Sequence, residues 1–179
     1  MVNKRMYVAF ILTVVLVLSA CGKDSTNRTA LTPKSAIELA TAWVEMENLI
    51  LAGGMYKESE YTTFMYKHEE YRYLAGHLDS KKKLKAELRK FVTKKKAKKF
   101  IHKNGIIKHE KKLGQPETEV EEESLLLWEI ATAREMKSKG KKMTFELTVP
   151  IGDTRTAEKF TVNYVYVKKT GWRIDKFNE

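Results

Sequence analysis

One thiol, four imidazoles, a dense run of amines and a cluster of carboxylates are the groups in this 179-residue chain that could do chemistry. The thiol is Cys21, the only cysteine, so no intrachain disulfide can form. The imidazoles belong to His68, His77, His102 and His109. Four residues after His68 stands Arg72 rather than a second histidine, so the helical zinc-protease pattern is absent. No two of the histidines have the short spacing of paired metal ligands. The chain has neither a Gly-rich phosphate loop nor a Gly-x-Ser-x-Gly turn. Carboxylates are numerous enough that close pairs are expected by chance. The balance is against an enzyme, a metal site and a cofactor.

The surroundings of Cys21 give the thiol a different chemistry. Lys4 and Arg5 precede an uncharged apolar run from Met6 to Ala20, which ends in Leu18-Ser19-Ala20-Cys21. A basic start, a short apolar stretch and small residues describe a secretory signal. The run is shorter than the roughly 20 residues a spanning helix needs. The last four residues resemble the bacterial lipoprotein signal, in which the cysteine is acylated and becomes the new N-terminus. That pattern implies a signal peptide over 1–20 and a protein held by lipid at Cys21 on the extracytoplasmic face of the cell membrane. The plainer alternative is an uncleaved apolar anchor with an incidental cysteine; it exports the same domain. Cleavage lowers the formal charge from +11 to +9, because Lys4 and Arg5 leave with the signal. Several acyl chains on one cysteine would hold the membrane durably. Residues 21–31 (polar from Gly22 to Ala30) read as a flexible tether, and 32–179 as a single domain.

Charge is segregated along that domain. From Lys81 to Lys112, fifteen lysines and arginines face only Glu87 and Glu110. Directly afterwards Glu117, Glu119, Glu121, Glu122 and Glu123 form an acidic stretch with no base, between Pro116 and Ser124. The plain reading of the lysines is the solvated outer face of helices. The functional reading is a surface that attracts polyanions such as anionic wall polymers or lipid head groups. Nucleic acid fits poorly, since the run lacks aromatics among its lysines and the chain is exported. The acidic stretch is either a solvated hairpin tip or a docking element for a partner's cleft.

Helices fill 32–104. Thr32 can cap and Pro33 suits a first helical position. Ala36, Leu39, Trp43, Met46 and Ile50 then mark one helix face, and Gly53-Gly54 stops it. The aromatic stretch Tyr56–Tyr73 has no clear period. Asp79 or Ser80 caps a second helix with Leu84, Leu88 and Phe91 inward. Thr93 caps a third with Ala97, Phe100 and Ile101 inward, ending at Asn104-Gly105. Sheet fills 105–179. Met143, Phe145, Leu147 and Val149 alternate with polar residues, as do Phe160, Val162, Tyr164 and Tyr166. Ile106 to Leu113 is a further strand candidate. Residues 125–136 fit strand or helix, and the turn at Ser138–Lys141 favours a strand. Trp172 and Ile174 open a terminal strand with Trp172 in the core. Helices followed by an antiparallel β-meander make an α+β fold.

Several stretches then resemble, in order, the IseA-type DL-endopeptidase inhibitor family. They are Leu31–Ala36, Tyr71–Leu74, Leu78–Leu84, Phe100-Ile101, Leu113–Pro116, Thr148–Asp153 and Gly171–Ile174. The resemblance implies two lobes with a cleft, and a protein that occludes NlpC-type cysteine endopeptidases of the cell wall rather than doing chemistry. It also implies charged loops at that cleft, of which Glu117, Glu119, Glu121, Glu122 and Glu123 would be one. Aromatic anchors for such a partner are sought among Tyr56, Tyr61, Tyr66, Tyr71 and Tyr73, with Tyr71 and Tyr73 foremost; their plain alternative is core and sheet packing. Family members of this type are released, so the lipoprotein leader is a departure that would confine inhibition to the membrane-proximal wall.

Overall fold

The computed structural model describes residues 30–117 and 125–178. The leader, Cys21 and the tether before Ala30 lie outside the described residues, as do 118–124, with Glu119, Glu121, Glu122 and Glu123. No helix of the described residues is long and apolar enough to cross a membrane.

Helix α1 spans Pro33–Leu51. The Thr32 hydroxyl accepts the Ser35 amide at 3.1 Å, and proline occupies the first turn where no N–H is needed. The helix buries Ala36, Ala40, Trp43 and Ile50, while Leu39 and Met46 are half-buried. Gly53 and Gly54 stop it at φ values of 90° and 96°, which favour residues without a Cβ.

The aromatic stretch that has no clear period in the sequence is a hairpin, β1 (Thr63–Tyr66) and β2 (Glu69–Tyr73). Its tip is Lys67-His68, both at positive φ (50° and 69°). Such a two-residue turn matches the twist of the strands but is usually written with Asn or Gly. Helix α2 (Lys81–Leu88) starts at Ser80, whose hydroxyl accepts the Lys83 amide. Asp79, the other cap candidate, instead binds the Lys83 ammonium at 2.8 Å. Helix α3 spans Lys94–Lys103 and is capped by Thr93. Ile106 to Leu113 is not one strand. It holds β3 (Ile107–His109), a tight turn, and the start of β4 (Lys112–Pro116).

The first sheet has the order β1-β2-β4-β3, all antiparallel. It takes a hairpin from the helical half of the chain and pairs it with strands that follow α3. After residue 125 the chain makes one 3-10 turn at Trp128–Ile130 and enters β5 (Thr132–Lys139). Residues 125–136 are therefore neither wholly strand nor helix. Strands β6 (Lys142–Pro150), β7 (Ala157–Val167) and β8 (Gly171–Asn178) complete a second sheet of order β5-β6-β7-β8, the expected meander. The fold is α+β.

The core lies between α1 and the meander. Met143, Phe145, Leu147 and Val149 of β6 and Phe160, Val162 and Tyr164 of β7 are all buried. Tyr164 reaches across to donate its hydroxyl to the Ala36 carbonyl at 2.7 Å, and burial raises its pKa far above the ordinary tyrosine value. Trp43 meets Phe100 of α3 edge-on at 5.5 Å. The free edge of β8 is covered: the Ile174 amide donates to the Phe91 carbonyl and the Thr93 amide to the Ile174 carbonyl, both at 2.9 Å. Trp172 corrects the sequence expectation. It is half-buried at the end of the strand, against the Tyr166 ring, and Ile174 is the buried member.

Candidate functional site: the acidic end of the first sheet

The end of β4 is where the acidic stretch leaves the sheet. Glu117 directly follows Pro116, and its amide donates to the Glu70 carbonyl at 2.8 Å. Alternation along the strands puts Gln115 and Glu117 on the face that carries Arg72 of β2. Arg72 is 5% exposed, the least exposed charged side chain described here. Its guanidinium donates to Glu117 Oε1 at 3.0 Å and to the Leu51 carbonyl, at the end of α1, at 2.8 Å. Gln115 Nε2 donates to the same Leu51 carbonyl at 2.7 Å. Helix C-terminal carbonyls lack intrahelical donors, and here two sheet side chains supply them. One buried cation thus ties α1, β2 and the root of the acidic stretch together. Glu117 is therefore a pinned, partly buried residue and not part of a solvated loop.

Around that root lies an exposed apolar margin. Tyr61 is 49% exposed and Met65 is 65% exposed. Met65 opposes Glu70 across β1 and β2, at the same end of the sheet as Glu117. Tyr61 packs edge-on against Tyr56 at 5.3 Å. Desolvation and hydrogen bonding with Glu117 both raise the Tyr61 pKa. Tyr56 is more enclosed; its hydroxyl donates to the Tyr73 carbonyl at 2.7 Å, and burial pushes its pKa up to about 12. Carboxylates at the root beside a tyrosine and a methionine give the site an apolar centre with a charged rim. Exposed aromatic and methionine side chains beside charge are common in surfaces that bind protein.

The opposite face of the sheet holds the other predicted aromatics. Tyr71 is buried, and Phe64 lies over both Tyr71 and Tyr73. Phe64 also stacks on the His109 ring at 4.1 Å with an angle of 7°. The stack depends on Gly114, because a Cβ there would come within 2.6 Å of the Phe64 ring. Tyr73 shares a 2.6 Å hydrogen bond with His109 Nδ1. Tyr71 and Tyr73 accordingly sit in sheet packing, on the face opposite to the Glu117 side chain. Sequence reading did not find Arg72, Gln115 or Met65. The one available signal was a lone arginine between two tyrosines in an alternating stretch, which places it on the face opposite to them.

Among the described residues no group of His, Cys, Asp or Glu could hold a metal ion. The basic run forms α2, α3 and their flanks. Lys83 pairs with Asp79 and Lys90 with Glu87, while Lys94, Lys95, Lys98, Lys99 and Lys103 are exposed without an ion pair among the described residues.

The chain is similar to the uncharacterized protein YoeB of Bacillus subtilis (strain 168), at 27% identity, with 94% of this chain and 95% of the relative covered. The model of one family, described as IseA DL-endopeptidase inhibitor, matches residues 27–179, and the chain belongs to that family.

Proposed function

We propose that this protein is an extracytoplasmic, lipid-anchored inhibitor of cell-wall peptidoglycan DL-endopeptidases, and that it works by occlusion. In this reading Cys21 carries the lipid. The acidic stretch, Glu117 with Glu119, Glu121, Glu122 and Glu123, enters the cleft of an NlpC-type enzyme, while Tyr61 and Met65 bury against the rim of that cleft. The observation that carries the reading is the root of the stretch. Glu117 is tied to the buried Arg72, which is itself tied to the end of α1. A docking element fixed at its base gives up less freedom on binding than a free loop, which raises affinity without added contacts. The carboxylates beyond the root would steer encounter and set the salt dependence.

The test is the inhibition constant of the full chain against an NlpC-type endopeptidase over a range of ionic strength. Parent is compared with a variant in which Glu119, Glu121, Glu122 and Glu123 are glutamine. Expected is weaker inhibition by the variant, most marked at low salt, with an unchanged melting temperature. Equal constants at low salt would remove the docking role. The anchor is tested by Cys21→Ser, which should release the protein from membranes; retention after a high-salt wash would refute lipidation.

A further inference from the structure

Helix α3 and strand β8 border a second surface, a cleft of about 1060 Å³. This is the upper size of sites that enclose a small molecule or a few residues of peptide. Its floor is aromatic. Trp128 lies 5.1 Å from Phe160 and 6.0 Å from Phe177, and Phe100 closes the α3 side. Trp128 is 8% exposed, and its indole N–H has no acceptor among the described residues. A buried donor left in that state usually has a partner elsewhere.

The walls carry charge in an ordered way. Lys96, Lys99 and Lys103 follow one another at spacings of three and four on α3, so they form one stripe along the helix. Lys176 of β8 lines the same cleft. Lys96 is held over the rings of Trp43 and Phe177, at 5.1 and 5.7 Å. Burial lowers its pKa, and Glu47 opposes that shift. Like charges three and four residues apart repel and cost helix stability, so an anion seated against them would relieve a strain already present. The walls are not purely basic. Glu47 and Asp175 also line the cleft, and Thr93 donates its hydroxyl to Asp175 Oδ1 at 2.8 Å.

We propose that this cleft binds a short, net-acidic wall peptide of the kind a DL-endopeptidase cleaves, with carboxylates on Lys96, Lys99, Lys103 and Lys176. The peptide's ammonium groups are met by Asp175 and Glu47, and its alanine methyl and methylenes lie on Phe100, Trp128, Phe160 and Phe177. The choice of occupant follows from the mixed walls. A phosphodiester polymer brings only negative charge and gains nothing from two carboxylates or an aromatic floor. A lipid bilayer is flat and cannot enter a cleft. A peptide with three carboxylates, two ammonium groups, an alanine methyl and methylene chains uses every part of the lining. Such binding would hold the inhibitor on the material its target enzyme works on. This inference rests on the wall location argued above, but it uses a different face from the acidic docking end.

The experiment is calorimetric titration of the full chain in detergent with the tripeptide L-Ala-γ-D-Glu-meso-diaminopimelate. Parallel titrations use poly(glycerol phosphate) and the same tripeptide amidated at its carboxyl groups. Lys99 and Lys103 are exposed, so Lys99→Gln with Lys103→Gln should leave the fold intact. Expected is saturable binding of the free tripeptide, weakened about tenfold or more in the double variant, and none of the amidated form. Inhibition of the endopeptidase on a small soluble substrate should be the same for parent and double variant. That separates the cleft from the docking end, because loss of the glutamates alters inhibition and not tripeptide binding. Absence of tripeptide binding, equal binding by the double variant, or tighter lysine-dependent binding of poly(glycerol phosphate) would each overturn the proposal.

Discussion

The two sheets are built on different principles. The second sheet, β5 to β8, is a conventional half-buried sheet: every inward residue of β6 is buried and apolar, and α1 covers it. The first sheet has strands of three to five residues and holds both of the buried polar side chains found among the described residues, Arg72 and Gln115. Its other face is closed by its own aromatic rings, Phe64, Tyr71, Tyr73 and His109. One sheet is stabilised by non-directional apolar burial, the other by a few directional bonds and ring contacts. Apolar burial resists disturbance in proportion to area, whereas a polar pin is strong only while every partner stays in place. The proposed docking end belongs to the second kind of structure, where local opening is least costly.

The sharpest way to break this contrast is to cut each region at its centre. Phe145→Ala removes a fully buried ring from β6 and should cost about 3–5 kcal/mol, read as a large fall in the urea midpoint of the whole molecule. Arg72→Ala should cost about 3 kcal/mol, because it leaves Glu117 without its buried cation and the Leu51 carbonyl with Gln115 as its remaining donor. Its damage should be local: amide exchange should rise in β1, β2 and β4 and stay slow in β6 and β7. A uniform rise over both sheets would show that they melt as one unit and would end the comparison.

Trp172→Ala sharpens the boundary of the apolar region. A half-buried ring at a strand end should cost about 1–2 kcal/mol, clearly less than Phe145→Ala. A loss as large as that of Phe145 would place Trp172 in the core after all. The smallest effect is expected at Glu60. Its carboxylate accepts the Gly76 amide at 2.6 Å and the Lys57 amide at 2.8 Å, and the backbone bonds from Lys57 and then Gly76 hold its pKa below the ordinary 4.5. A carboxylate with a depressed folded pKa contributes stability above its unfolded value, and that contribution disappears as pH falls through the folded one. The Lys57 and Gly76 amide signals should therefore shift together on acidification below pH 4.5, and Glu60→Gln should abolish that step. Signals that move independently would show that the carboxylate does not join the two amides.

How legible each region was follows from the same difference. The three helices, the caps at Thr32 and Thr93, a cap at Asp79 or Ser80, and the alternating strands β6 and β7 could be read directly. Each has a repeating apolar face and local start signals, and both are properties of neighbouring residues. The first sheet could not. Its hairpin turns at Lys67-His68 without glycine or asparagine, its strands are too short to show a period, and β2 pairs with β4 more than forty residues later. Trp128 was missed because a single 3-10 turn has no periodicity.

At the candidate site the split falls between charge and attachment. Composition alone placed five glutamates after Pro116 and fifteen basic side chains before it, because charge needs no fold to be counted. The resemblance of Leu18-Ser19-Ala20-Cys21 to a lipoprotein signal was equally a property of adjacent residues. What only the tertiary structure decided is which of these residues is held. Arg72 is forty-five positions from Glu117 and twenty-one from Leu51, and nothing local distinguishes it from any other arginine. The same holds for Lys96, Lys99 and Lys103, whose spacing gives a stripe on a helix but not the aromatic floor beneath it. Periodicity and charge are written in sequence neighbours; burial of a polar group is decided by whichever distant partners the fold brings to it.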